Sequence, residues 1–236
     1  HVRSRRQRQM CIRDREEQPP RARDIAKRLF QEWESRAENP VRFNQEQKAV
    51  VALVVGQVEA IVEYHRADKN GESPKPVEQM VLLLHGEGGT GKTEVVTLLR
   101  RLFREVLGQA SEMAVASSNS AARVIGGETI HSAFGLSAQQ ALTIAKLSGQ
   151  KVKDDFVDRM NELEAVIVEE VSMVPPKLLG AASLRMCKAR EGKHGSRVDL
   201  YMERGHMFGK VPIVMFLGDC LLYTSRAHET QFDRVC

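Results

Sequence analysis

The sequence has no C-x-x-C pair. Its four cysteines, Cys11, Cys187, Cys220 and Cys236, are widely scattered, which argues against a zinc site or a disulfide framework and suits a reducing compartment. Long hydrophobic runs are also missing. The longest, such as Ala49 to Val55, fall far below the roughly 18 residues of a membrane-spanning helix, so no membrane partner is expected. No apolar segment follows the Arg-rich N-terminus, which argues against a secretory signal. No internal repeat is visible. Charge of one sign is only slightly in excess: the formal net charge of +4 mildly favours an anionic partner. What remains is a chain of 236 residues, 42% hydrophobic, enough for a sizeable core in one large or two small domains.

The most informative stretch is Val81 to Thr97, VLLLHGEGGTGKTEVVT. Within it, Gly86 to Thr93 matches the phosphate-loop pattern G-x-x-x-x-G-K-[ST] at each fixed position. The apolar run Val81 to Leu84 has the length of a buried strand, and EVVTLLRRLFREVL carries apolar residues at helical spacing. Strand, loop and helix are the context the motif requires. A polyphosphate needs many donors at close range. Gly88, Gly89 and Gly91 let the backbone curl so that its N–H groups point inward, and the following helix adds its positive end. The nucleotide-binding set is Gly86, Gly88, Gly89, Thr90, Gly91, Lys92 and Thr93. Lys92 should reach the β- and γ-phosphates, and the Thr93 hydroxyl should ligate Mg²⁺. The bland alternative is a glycine-rich turn between strand and helix.

Residues 1–36 form a basic extension, dominated early by Arg and predicted to be helical from Asp24 to Glu38, where Ile25, Leu29, Phe30 and Trp33 share one side. The Arg-rich part reads as a solvated tail or as an arm that neutralises nucleic-acid phosphates. Next comes a long apolar helix, KAVVALVVGQVEAIVEYH, preceded by Gln47, whose amide can both donate to and accept from an adenine edge. Residues Arg66 to Pro76 read as a loop. Met113 to Ala116 is the next predicted strand. Ser118, Asn119 and His131 follow it, in the place where ligands bind an open α/β sheet. Such side chains contact nucleic-acid phosphates, although Ser118 to Ser120 could simply cap a helix. Ser137 to Leu147 reads as a helix. An apolar strand then ends in two carboxylates, Glu169 and Glu170. Such a pair suits a nucleotide hydrolase, with one acid in the Mg²⁺ shell and the other acting on the attacking water. Pro175 to Ala189 reads as a helix, Lys188 to Gly205 as a charged loop, and Pro212 to Leu217 as a further buried strand ending at Gly218-Asp219.

Together these stretches resemble the Pif-type DNA helicases from about Phe43 to Asp219. The segment Phe43 to Gln47 is similar to their adenine-reading segment, and GEGGTGKT to their phosphate loop. G-G-E-T-I-H-S is similar to their strand-binding segment. Val166 to Met173 is similar to the Mg²⁺ and water-activating segment, including its trailing Ser-Met, and Met207-Phe208-Gly209 with FLGD to the entry of the third motif. The sequence departs from the family in two places. Glu169 stands where the family has Asp, and Leu222 where it has a γ-phosphate-sensing Gln.

The resemblance implies an α/β, RecA-like P-loop NTPase domain over residues 37–219, a parallel sheet with helices on both faces. It implies an ATP-dependent 5′-to-3′ DNA helicase acting on single-stranded DNA, with roles in DNA repair, recombination and telomere maintenance. Lys92 and Glu170 would be catalytic, Gln47 would serve the nucleotide, Thr93 and Glu169 would hold Mg²⁺, Ser118, Asn119 and His131 would touch DNA, and Asp219 would lie on the γ-phosphate side. The second motor domain is missing from the chain. Residues 220–236, and Gln9 to Arg15, resemble translated adapter sequence and are expected to be non-native. The expected compartment is nuclear or mitochondrial in a eukaryote and cytoplasmic otherwise. Two alternatives are a nucleotide- and DNA-binding module with negligible hydrolysis and another P-loop ATPase.

Overall fold

Strands buried on both faces read as continuous hydrophobic runs. The two clearest runs of this chain, β4 (Ala165–Glu169) and β5 (Ile213–Gly218), lie side by side inside the sheet. The computed structural model describes residues 21–137, 153–190 and 207–218. Its sheet has five parallel strands in the order β1-β5-β4-β2-β3, with β1 at Met80–His85, β2 at Glu112–Ala116 and β3 at Glu128–Thr129. Ile167 of β4 stands beside Met215 of β5 and beside Ala114 of β2. All strands run the same way, so their carboxyl ends share one edge, and the phosphate loop and the carboxylates both open there.

Helices cover both faces. On one face α1 (Ala22–Glu34), α2 (Gln45–Lys69) and α3 (Lys92–Leu107) pack on Ala114, Ile167, Met215 and Leu217. On the other, α5 (Ile130–Ala133), α6 (Asp154–Glu162) and α7 (Pro176–Arg190) pack on Val115, Val166, Val168 and Val214. The short α4 (Asn119–Val124) joins β2 to β3. The α/β architecture with helices on both faces is therefore as expected.

The helix of the basic extension is part of this core. Ile25, Leu29 and Trp33 recur at helical spacing and are buried, and the Phe30 ring meets the Phe43 ring edge-on at 5.1 Å. Trp33 Nε1 donates to Glu94 Oε2 at 2.9 Å, in the first turn of α3. Fully burying a side chain the size of Leu29 contributes about 1.5–3 kcal/mol. The helix ends at Glu34 rather than Glu38, well before Pro40.

Other boundaries also differ from expectation. The long helix begins at Gln45 because Asn44 and Gln47 form a capping box, and it runs to Lys69, into the stretch read as loop. Val81 to Leu84 is only half buried: β1 is an edge strand among the described residues, and Val81 and Leu83 are 47% and 61% exposed. The helix expected from Ser137 lies beyond the described residues except at Ser137, as does the Lys188 to Gly205 loop except at its start, where α7 continues to Arg190. Among the described residues no helix is long and apolar enough to cross a membrane.

Before β5 the chain makes a left-handed turn, with φ of 50° at Phe208, 61° at Gly209 and 58° at Lys210. Half-buried Gln79 and buried Arg190 over-determine it. The Gln79 amide donates to Met207 O and Val211 O and accepts from Met207 N. Arg190, 1% exposed, donates to Gly209 O at 2.9 Å, Met160 O at 2.7 Å and Leu163 O at 2.8 Å. Burial pulls its guanidinium pKa down, opposed by nearby Glu164 and then Cys187.

Candidate functional site

The loop Gly86 to Gly91 links β1 to α3 at the carboxyl edge. Gly89 and Gly91 have φ of 80° and 79°, a left-handed conformation that a side chain would strain. Lys92 Nζ donates to two carbonyls of its own loop, Gly86 O at 2.6 Å and Glu87 O at 2.9 Å. Thr90 Oγ1 donates to Glu87 O at 2.9 Å. Thr93 sits half-buried in the first turn of α3. Gln47, expected just ahead of the helix, lies within its first turn, and its Nε2 donates to Thr90 O at 2.9 Å.

Two strands away, β4 delivers Glu169 and Glu170. Glu169 is only 9% exposed, and its Oε2 has no hydrogen-bond partner among the described residues; nor does the buried Oγ of Ser172. Burial raises the Glu169 pKa, Glu170 adds to the rise, and the charge of Lys92 opposes it. That opposition ties the carboxylate electrostatically to the phosphate loop. Glu170 adopts a left-handed conformation, φ 52° and ψ 45°, which turns the chain directly into the 3-10 turn Val171–Met173. In a non-glycine residue this costs about 1 kcal/mol or more and marks a site held by its surroundings. A buried carboxylate oxygen without a donor suits a cation or a cation-bound water, so Glu169 fits the expected Mg²⁺.

The expected DNA-contacting residues lie further along the same edge. Pairing of Ala116 with Thr129 brings the segment after β2 beside α5. Ser118 caps α4, its Oγ accepting from Ala121 N at 3.3 Å, so the bland capping role is present. Asn119 is exposed, and His131 is half-buried within α5. Gly127 lies so close to β2 that a Cβ there would sit 2.3 Å from Ala114 O. Asp219 is outside the described residues.

Pattern reading missed the supports of this site. Arg100 of α3 makes a two-pronged ion pair with Glu112, which also accepts from Arg104, and Arg100 donates to Ile125 O and Gly126 O. The phosphate-loop helix is thereby fastened to the turn that carries Gly127. An Arg at helical spacing offers no sequence signal of such a partner.

Sheet, loop and carboxylates define a phosphate-loop domain of the α/β class. Residues 42–221 match the model of the family described as PIF1-like helicase, and the chain belongs to that family. It is 33% identical over 127 residues to the ATP-dependent DNA helicase Pif1 of Bdellovibrio bacteriovorus, a match covering 51% of this chain and 28% of that protein. It is 34% identical over 124 residues to the ATP-dependent DNA helicase PIF1 of Trypanosoma brucei brucei, covering 49% of this chain and 11% of that protein. The chain thus spans a minor part of the length of these relatives. Among solved structures, Bacteroides Pif1 in complex with ADP-AlF3 and ssDNA aligns with a TM-score of 0.48 and 21% identity, over 76% of this chain and 32% of that one.

Proposed function

We propose that the chain is the ATP-binding first motor domain of a DNA helicase moving 5′ to 3′ on single-stranded DNA. The observation that supports this most is Glu169, a buried carboxylate without a donor, within electrostatic reach of the phosphate-loop lysine. The loop glycines Gly86, Gly88, Gly89 and Gly91 and the α3 N-terminus would hold the phosphates through backbone N–H groups. Lys92 would leave its loop carbonyls for β- and γ-phosphate oxygens. Thr93 and Glu169 would hold Mg²⁺, with Glu169 reaching a bound water. The ion would neutralise phosphate charge when bound. Glu170, turned by its left-handed backbone, would orient the attacking water and accept its proton. Ser118, Asn119 and His131 would contact strand phosphates largely without sequence preference. In the whole helicase a second motor domain would close over the γ-phosphate, aided by Asp219 on this side.

The second reading is a nucleotide- and DNA-binding module with little turnover. It is supported by the engagement of Lys92 with its own loop.

Mg²⁺-dependent binding of a fluorescent ATP analogue, measured on the chain and on Lys92→Ala, tests both. Losing a charge-assisted bond of about 1.5–3 kcal/mol should weaken binding at least tenfold. Hydrolysis accelerated by single-stranded DNA supports the motor; binding without it supports the module. No binding by a folded chain rejects both.

A further inference from the structure

Glu94 is an acid placed where it can compete with an anionic ligand. It is the third residue of α3, after Lys92 and Thr93, and the one acid of the first turn. The first N–H groups of a helix have no partner within it. Val95 is the first residue of α3 whose N–H bonds back to the chain before it, to Gly91 O at 3.3 Å. The N–H groups ahead of Val95 are left for an outside acceptor, which in a phosphate loop is the polyphosphate. A glutamate at the third helical position ordinarily folds back onto the start of its own helix, where the dipole also favours its charge. In that position its carboxylate would occupy the end of α3 that a phosphate needs.

The structure holds the carboxylate elsewhere. Glu94 Oε2 accepts from Trp33 Nε1 at 2.9 Å and from Arg36 Nη1 at 3.4 Å. Both donors belong to the basic extension, ahead of the phosphate-loop domain. The Arg36 guanidinium lies over the Trp33 ring, 3.9 Å from its centre, so the two act as one hook. The hook is firmly based. Trp33 is 3% exposed, and its carbonyl accepts from Val41 N at 3.1 Å. Arg101 of α3 pairs with Glu32 of α1 at 2.6 Å, and Arg28 of α1 pairs with Glu105 of α3. Those pairs already fasten the two helices along their length, so a tether alone does not require the acid beside Thr93.

Resting on the nucleotide-binding reading above, we infer that Trp33 and Arg36 are positioning residues that act through Glu94, keeping its carboxylate off the first turn of α3 so that the N–H groups there stay open to phosphate. Arg36 also offsets the charge of Glu94 beside the incoming anion. The extension thereby raises affinity for a polyphosphate that it does not touch. The effect falls on the phosphates and is the same whatever base they carry.

The test is calorimetric binding of Mg²⁺-ATP and of Mg²⁺-tripolyphosphate, which has no base, with thermal melts alongside. Four variants are compared with the chain. Trp33→Phe keeps the ring and removes the N–H. Arg36→Gln removes the charge at a half-exposed position. Glu94→Ala removes the competing acid, and the fourth variant combines Trp33→Phe with Glu94→Ala. A carboxylate settling on a helix N-terminus gains an amount that corresponds to about a two- to fivefold factor, which phosphate must then overcome. Trp33→Phe should weaken both ligands by about that factor, and Arg36→Gln should act in the same direction. Glu94→Ala should bind both ligands at least as tightly as wild type while melting at a lower temperature, because it leaves the Trp33 N–H without its acceptor. The combined variant should bind like Glu94→Ala.

A plain tether between α1 and α3 makes the opposite forecast for one variant: Glu94→Ala would then weaken binding as Trp33→Phe does, and that result would overturn the inference. Unchanged affinities in both Trp33→Phe and Arg36→Gln would overturn it as well, and so would a loss confined to ATP. Should Trp33→Phe fail to fold, Arg36→Gln decides by the same comparison with Glu94→Ala. A folded wild-type chain that binds neither ligand would remove the nucleotide-binding reading itself, and the hook's role with it.

Discussion

Glu169→Gln should make the protein more stable and bind its ligand less well. Burial first, and then the charge of Glu170, raise the carboxyl pKa above its ordinary value, while Lys92 opposes them. A carboxyl whose pKa is higher in the folded chain binds more protons when folded than when unfolded. Stability therefore falls as pH rises through the window from the ordinary carboxylate value to the raised one, and the ionised group remains a net cost above it. The amide has nearly the same shape and no charge. Replacing an unpaired buried charge by an unpaired neutral acceptor should gain about 1 kcal/mol at neutral pH, near the lower end for such groups. For a domain of this size that is a rise of about 2–4 °C in Tm. Mg²⁺-dependent nucleotide affinity should fall by about 10- to 100-fold, the usual loss when a group holding a metal-bound water is changed. Thermal melts at acidic and neutral pH, with and without Mg²⁺-nucleotide, read both effects. The gain in Tm should shrink on acidification, because the wild-type carboxyl then protonates. A variant less stable than wild type at neutral pH, or one that binds Mg²⁺-nucleotide unchanged, would refute the reasoning.

Two further substitutions test the frame around the site. Gly127→Ala places a Cβ 2.3 Å from Ala114 O, and the forced backbone shift should cost about 1–3 kcal/mol in urea unfolding. Affinity for single-stranded DNA should fall with it, because the turn leads into α5 and His131; a change below about 0.5 kcal/mol would show the turn to be free to move. Arg190→Met removes the donors to Gly209 O, Met160 O and Leu163 O, so about 3 kcal/mol of stability should be lost. Arg190→Lys should not restore it, since an ammonium lacks the planar fork that spans separated carbonyls; an unchanged melting curve in either variant would contradict the clamp.

The phosphate loop was legible because its chemistry constrains residue type at fixed spacing: glycine where φ is positive, lysine and threonine at the start of a helix. The strands β2, β4 and β5 were legible for a different reason, since burial on both faces leaves uninterrupted apolar runs. What escaped depends on neighbours far away in sequence. The exposed face of β1 cannot be read from Val81 to Leu84 alone, because an apolar run does not say which strand ends up at an edge. Trp33 reads as one apolar position on a helix, and only the fold shows its indole N–H on Glu94. Gln47 shows the same limit in the site itself. Its nearness to the nucleotide region was evident from order along the chain, and its partner Thr90 was not. The short α5 was hidden by length, being too brief for periodicity to register.

Two buried glutamates show where the fold satisfies its polar groups and where it does not. Glu112, at the start of β2, has a side chain 2% exposed and accepts from both Arg100 and Arg104. Glu169, at the end of the adjacent β4, is nearly as enclosed, and its Oε2 accepts from nothing among the described residues. The fold can therefore neutralise a buried carboxylate on this sheet; it does so at the amino edge and not at this oxygen of the carboxyl edge. The left-handed Glu170 adjoins Glu169, and the unpartnered Ser172 hydroxyl follows within the next turn. Strain and missing partners coincide within four residues, and the lysine whose charge reaches Glu169 is bonded to carbonyls of its own loop; one charged ligand would meet both. Mg²⁺-polyphosphate would supply a cation to the glutamate and anionic oxygens to the lysine in a single binding event. Neither a cation nor an anion alone would satisfy both groups, so affinity for either should be far below that for the pair.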